Sequence, residues 1–105
     1  MAQYIYQFLP GERPELAADL SAWTAEDELI SSAHYEYLRQ ATDKGQVILA
    51  GRSPDGLGPA VVIFEAADDD EALRFMNEDP FVASGLFGAS LHLFRVALLR
   101  DESPG

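Results

Sequence analysis

The sequence has no cysteine among its 105 residues, and it has a single lysine. The lack of cysteine excludes disulfide bridges and thiolate nucleophiles, and it fits a cytoplasmic location. Seven basic residues stand against 18 acidic ones, which gives a net charge of −11. Nucleic acids and anionic membrane surfaces are bound by clustered basic side chains, so neither is an expected partner.

The chain also lacks an apolar run of the ~20 residues that a membrane span needs. Residues 1–7 have no basic stretch ahead of an apolar run, so no signal peptide is expected. The length suits one domain, and 48% hydrophobic residues are enough to fill a core. We therefore expect a single domain over residues 1–100, followed by a polar tail at 101–105.

Four segments have the composition of β-strands, namely residues 4–9, 46–50, 60–65 and 89–99. A first helix is predicted from a Thr24 cap to Lys44, and its apolar stripe places His34 on the buried side. A second helix is predicted to begin at an Asp68 cap. Asp79 and Pro80 then open a short helical turn, because Asp is a favourable cap and Pro is favourable at the first helical position.

The resulting order, β-α-β-β-α-β, predicts an α+β ferredoxin-like fold with a four-stranded antiparallel sheet and both helices on one face. The second sheet face should alternate apolar with polar residues if it meets water. Residues 46–50 and 60–64 are instead apolar on both sides, so we expect that face to be covered. A second copy would cover it in a symmetric homodimer; the alternative is a monomer covered by residues 11–23.

His34 and Asp79 are the main candidates for chemistry, although each alone has a structural explanation. A histidine on an apolar helix face is commonly a core residue, and an aspartate before proline is commonly a helix cap. The predicted topology nevertheless brings the end of the second helix beside the first half of the first helix. A carboxylate on one imidazole nitrogen fixes the tautomer and leaves the other nitrogen for a substrate.

Four further residues are candidates for substrate binding: Arg52, Ser53, Tyr37 and Ser84. Arg52 could grip a carboxylate in a forked geometry, but a solvated loop arginine is the alternative. Tyr37 shares the stripe of His34 and could line a pocket or fill the core. The remaining histidine, His92, is better explained as a surface or dimer-face residue. No metal site is expected, because the two histidines are far apart and lack a ligand spacing.

Several motifs resemble the YCII-related family of the dimeric α/β-barrel superfamily. They are SAHYEYL at residues 32–38, KGQVILAG at 44–51, DPFVASGL at 79–86 and FRV at 94–96. The resemblance implies that His34 and Asp79 form a catalytic dyad, and that the chain is dimeric. It also implies lyase or dehalogenase chemistry on muconate-type ring-cleavage products. Many relatives have Gly-Pro where this chain has Gly51 and Arg52, which changes the mouth of the expected pocket.

Two functional hypotheses follow. The first is a small enzyme without a cofactor, in which His34 acts as general acid and base on a small, anionic organic substrate. The second is a non-catalytic dimer that binds a small ligand or a partner protein, with His34 and Asp79 fixing the packing of the helices. A cofactor-free monooxygenase on the same architecture is a third possibility. Free space beside the second nitrogen of His34 would distinguish the enzyme from the scaffold.

Overall fold

The computed structural model describes residues 1–100, and the predicted polar tail at 101–105 lies outside them. The described residues form four strands, three α-helices and two short 3-10 turns. In chain order the strands and α-helices are β1 (Ala2–Pro10), α1 (Ala25–Asp43), β2 (Val47–Arg52), β3 (Ala60–Ala66), α2 (Asp69–Glu78), α3 (Pro80–Ala83) and β4 (Phe87–Phe94). The 3-10 turns, Pro14–Ala17 and Leu20–Ala22, lie between β1 and α1.

The four strands form one antiparallel sheet in the order β2-β3-β1-β4. This arrangement confirms the predicted ferredoxin-like α+β fold. Alternate residues of the central strand β1 enter the core on the helix side, where Tyr4 and Tyr6 are buried. The core is completed on this side by residues of β3 and α2, including Val62, Phe64 and Phe75.

The helix ends have the capping residues that the sequence predicts. The Thr24 hydroxyl accepts from the backbone N–H of Asp27, whose carboxylate accepts from the Thr24 N–H in return. Asp68 caps α2 through the N–H of Glu71. Asp79 caps α3 through the N–H of Phe81, at 3.0 Å. Because α3 follows α2 directly, this cap lies at the junction of the two helices and close to α1.

Two sequence-based predictions were wrong in detail. The last strand was expected to reach residue 99, but β4 ends at Phe94, which pairs with Gln3 near the start of β1. Only Ala2 of β1 lies beyond that pair, so β1 is too short to pair with residues 95–99, and their apolar pattern does not continue the strand. The apolar stripe predicted for α1 consists of Ile30, Ala33, His34, Tyr37, Leu38 and Ala41, but Ala33 is exposed.

The segment between β1 and α1 packs against the helix side of the sheet. Leu16 is buried, and the Trp23 indole N–H donates to its carbonyl at 2.9 Å. The Trp23 ring also contacts Phe81 and Phe87. Within residues 1–100, none of the helices combines the length and apolar character that are needed to cross a bilayer.

Candidate active site

His34 and Asp79 are joined by a hydrogen bond between Nδ1 and Oδ1, at 2.7 Å. His34 projects from the middle of α1, and Asp79 lies at the start of α3, 45 residues later. The Asp79 side chain is fully buried, whereas the His34 side chain is 17% exposed. The structure thus places the two main sequence candidates in direct contact, with a partly open imidazole and a closed carboxylate.

The Asp79 carboxylate accepts two further hydrogen bonds. Its Oδ2 accepts from the Tyr6 hydroxyl at 2.7 Å, and its Oδ1 accepts from the backbone N–H of Phe81. Burial raises the pKa of Tyr6 above its usual range, and the nearby Asp79 charge adds to this. Tyr6 is a site residue that was not predicted, because its inward position in β1 indicates a core residue. No signal in the sequence shows where its hydroxyl goes.

Aromatic rings surround the imidazole of His34. Phe81 stacks on it at a centroid distance of 3.9 Å and an angle of 18°, and Phe8 meets it edge-on at 5.4 Å. Trp23 and Phe87 support Phe81 from the other side. These contacts restrict rotation of the ring and shield it from water, so the free edge of the imidazole has a defined direction.

Two open, shallow cavities border the first half of α1, with volumes of about 350 and 490 Å³, and the larger one also borders α3 at Pro80 and Ala83. Ile30 and Ser84 line both of them. Ile30 lies one turn before His34 in α1, although neither cavity is lined by His34 itself. The smaller cavity also has Asp27 in its wall, which accepts a hydrogen bond from Arg13. The Arg13 guanidinium holds the pKa of the Asp27 carboxyl below its usual value.

The four predicted substrate-binding residues are dispersed. Arg52 is exposed at the end of β2, and the hydroxyl of Ser53 donates to Asp55 in the following loop. The Tyr37 hydroxyl donates to the Phe75 carbonyl at 2.7 Å, which ties this side chain to α2. Ser84 alone of the four lines the cavities described above, and its hydroxyl accepts from the backbone N–H of Leu86. Burial raises the pKa of Tyr37.

Across residues 1–100, His, Asp and Glu side chains do not come together in groups of three or more that could hold a metal ion. The groups at the site that can exchange a proton are His34, Asp79 and Tyr6.

The fold and the site define a small α+β protein with a ferredoxin-like sheet and, between its helices, a partly exposed histidine paired with a buried aspartate. The chain belongs to the family of the YCII-related domain, whose model matches residues 12–91. This match confirms the family that the sequence motifs indicated. Among curated proteins, none matches the chain.

A solved structure with the same fold is 5-chloro-2-hydroxyhydroquinone dehydrochlorinase (TftG) from Burkholderia phenoliruptrix AC1100, in complex with 2,5-dihydroxybenzoquinone. The two sequences are 20% identical, and the similarity covers 88% of this chain and 93% of that one. The TM-score is 0.57. At this level of identity the comparison establishes the shared fold.

Proposed function

We propose that this protein is an acid–base enzyme that eliminates a leaving group from a small, anionic organic molecule, in the manner of a dehalogenase or lyase. An isomerase that moves a proton between two carbons would use the same groups. The observation that carries the proposal is the 2.7 Å hydrogen bond between His34 and the fully buried Asp79. Membership of the YCII-related family and the fold shared with a dehydrochlorinase support it.

In the proposed reaction the Nε2 atom of His34 is the base. It takes a proton from a substrate carbon, and the electrons of that C–H bond form a carbon–carbon double bond. The carbon–halogen bond breaks in turn, and the halide leaves with its electron pair. Asp79 stabilises the positive imidazolium through the hydrogen bond to Nδ1, and the proton then passes to water. General base catalysis of this kind contributes roughly 10²–10⁴-fold to the rate.

The substrate is proposed to enter from the groove between α1 and α3. Ser84 is the best placed of the four binding candidates, because it lines both cavities and follows Asp79 by five residues. Arg52, Ser53 and Tyr37 remain candidates for substrate contact on sequence grounds, and none of them lines either cavity. We expect the enzyme to work as a homodimer in the cytoplasm.

The test is halide release from a panel of small chlorinated hydroquinones and chlorinated unsaturated acids. Wild type is compared with His34→Gln, Asp79→Asn and the control His92→Gln. His92 is the other histidine of the chain and is exposed on β4. We expect His34→Gln to lose about 10²–10⁴-fold in kcat, since the base is gone. Asp79→Asn should also be impaired, and His92→Gln should behave as wild type. Equal activity of His34→Gln and His92→Gln would contradict the proposed base.

One observation favours a second candidate, a non-catalytic domain that binds a small ligand. Phe81 covers one face of the His34 ring, and His34 lines neither cavity. In a non-catalytic domain, the hydrogen bond between His34 and Asp79 would serve to hold α1 against α3. Calorimetric titration of the same panel distinguishes the candidates, because a binder takes up a compound that it does not turn over.

A further inference from the structure

Asp79 is held from the sheet as well as from the helices. Its Oδ2 accepts from the Tyr6 hydroxyl at 2.7 Å, while its Oδ1 is shared by His34 and the Phe81 N–H. Tyr6 is 0% exposed, and its ring is enclosed edge-on by Phe8, Phe64 and Phe75. Because the Tyr6 ring is packed on several sides, its buried hydroxyl can donate in one direction only. Asp79 lies in that direction.

We propose that Tyr6 is a positioning residue that sets the orientation of the Asp79 carboxylate and, through it, the direction in which the His34 ring points. The catalytic consequence rests on the proposed function, whereas this orientation is a property of the folded protein alone. In this arrangement His34 carries its proton on Nδ1, and Nε2 presents a lone pair.

Two of the three groups around the Asp79 carboxylate are fixed donors. The Phe81 N–H can only donate, and the buried Tyr6 hydroxyl keeps its proton because its pKa is raised. An ionised carboxylate is an acceptor only, so it also requires a proton on the His34 nitrogen that faces it. The three contacts are then satisfied together, and no side-chain polar atom that is buried within residues 1–100 lacks a hydrogen-bond partner.

The hydrogen bond from Tyr6 to Oδ2 also fixes the plane of the Asp79 carboxylate. Without this bond, the hydrogen bonds from His34 and from the Phe81 N–H both go to Oδ1, and the carboxylate can turn about that oxygen. Such a turn changes the direction of the acceptor for Nδ1–H, and hence the direction of Nε2 toward a substrate. Because Tyr6 is closed off from solvent, water does not readily replace the lost donor.

Tyr4 offers a matched control for Tyr6. It lies on the same face of β1, is also buried, and donates its hydroxyl to an aspartate, Asp69, at 2.7 Å. The variants Tyr6→Phe and Tyr4→Phe therefore each remove one tyrosine–aspartate hydrogen bond and keep the ring. Asp69 lies in the first turn of α2 and has no part in the His34–Asp79 pair.

The experiment compares the ¹⁵N and ¹H resonances of the imidazole in wild type and in both variants, at a pH where His34 is neutral. We expect wild type to show a protonated Nδ1 and a bare Nε2, and we expect the Nδ1 proton resonance to move in Tyr6→Phe and not in Tyr4→Phe. With an active substrate, Tyr6→Phe should lose about tenfold in kcat, the effect of one hydrogen bond, with KM changed less than about twofold.

Resonances that are unchanged in Tyr6→Phe would overturn the proposal, and so would equal changes in both variants. Should Tyr6→Phe fail to fold, the hydroxyl proton of Tyr6 is observed in wild type instead. It should exchange slowly and shift in Asp79→Asn, and an unshifted resonance would overturn the proposal. If the resonances behave as expected but wild type turns nothing over, the proposed function fails and the positioning role of Tyr6 stands.

Discussion

At the scale of single residues, one oxygen of Asp79 joins local and distant structure. Its Oδ1 caps α3 through Phe81 and meets His34 of α1 at the same time. The two explanations that exist for an aspartate before a proline, a helix cap and a partner for a histidine, are therefore compatible. A substitution at Asp79 changes the helix cap and the contact with His34 together. Tyr6 bonds only to the other oxygen, so a substitution there tests the site without removing the cap.

A second carboxylate, Asp27, links α1 to the segment that precedes it. It accepts from Arg13 at Oδ1 and from the Thr24 N–H at Oδ2. The hydrogen bond from Arg13, followed by that from the Thr24 backbone, lowers the pKa of Asp27 in the folded protein. A carboxyl whose folded pKa is depressed stabilises the fold above its unfolded pKa, and that stability is lost as the pH falls through the folded value.

We therefore predict that Asp27→Asn lowers the urea midpoint of unfolding at pH 7. The difference from wild type should shrink as the pH falls below about 4, the ordinary range of an aspartate. The control is Glu26→Gln, which removes an exposed acid from the same helical turn and leaves the contact with Arg13 intact. Equal losses for the two variants at pH 7, or a difference that does not shrink as the pH falls below about 4, would contradict this explanation.

At the scale of elements, the segment between β1 and α1 is held by a close backbone approach. A Cβ atom on Gly56, in the loop between β2 and β3, would lie 1.8 Å from the Ala17 carbonyl oxygen. Gly56 also has a φ of +74°, which favours glycine. The loop therefore touches the segment that carries Trp23, and Trp23 in turn supports Phe81 beside His34.

We predict that Gly56→Ala destabilises the fold and loosens this segment. The control is Gly45→Ala, because Gly45 also has a positive φ, +85°, but a Cβ there would meet nothing within 4 Å. Each variant should lose about 1 kcal/mol through its backbone conformation, and Gly56→Ala should lose more through the clash. Trp23 is the only tryptophan, so its fluorescence reports on the segment. Its emission should move to longer wavelength in Gly56→Ala alone, and equal spectra would count against the contact.

The elements themselves were largely predictable from the sequence. Helix caps such as Thr24 and Asp68 bond to groups within three or four residues. They can therefore be recognised from a short stretch of sequence. The end of β4 was not predictable from residues 95–99, because a strand stops near the point where its partner stops, and the partner of Phe94, Gln3, is 91 residues away in β1. The role of Tyr6 was not predictable for a similar reason. Its ring indicates a core position, but its hydroxyl donates to Asp79, which lies 73 positions later in the sequence.

At the scale of the whole molecule, the sheet face opposite the helices is open in a single chain. One row of paired residues crosses all four strands on this face, from Leu49 through Ile63 and Ile5 to His92. Leu49 is 47% exposed, and the isoleucines are half-buried. The segment that was the alternative cover has its Trp23 on the helix side. A second copy of the chain is therefore the cover that we expect, because sheets pack face to face through such rows.

The centre of this row offers the test. We predict that wild type sediments at twice the mass of one chain and that Ile63→Arg sediments as a monomer, because the change places two like charges at the centre of a symmetric interface. Leu73→Arg is the control: Leu73 is exposed to the same degree as Leu49 but lies on α2. It should leave the dimer intact. A monomeric wild type, or a dimer in Ile63→Arg, would show that this face is not the interface. If the dimer forms as expected, it leaves the groove lined by Ile30 and Ser84, on the other side of the sheet, free for a substrate.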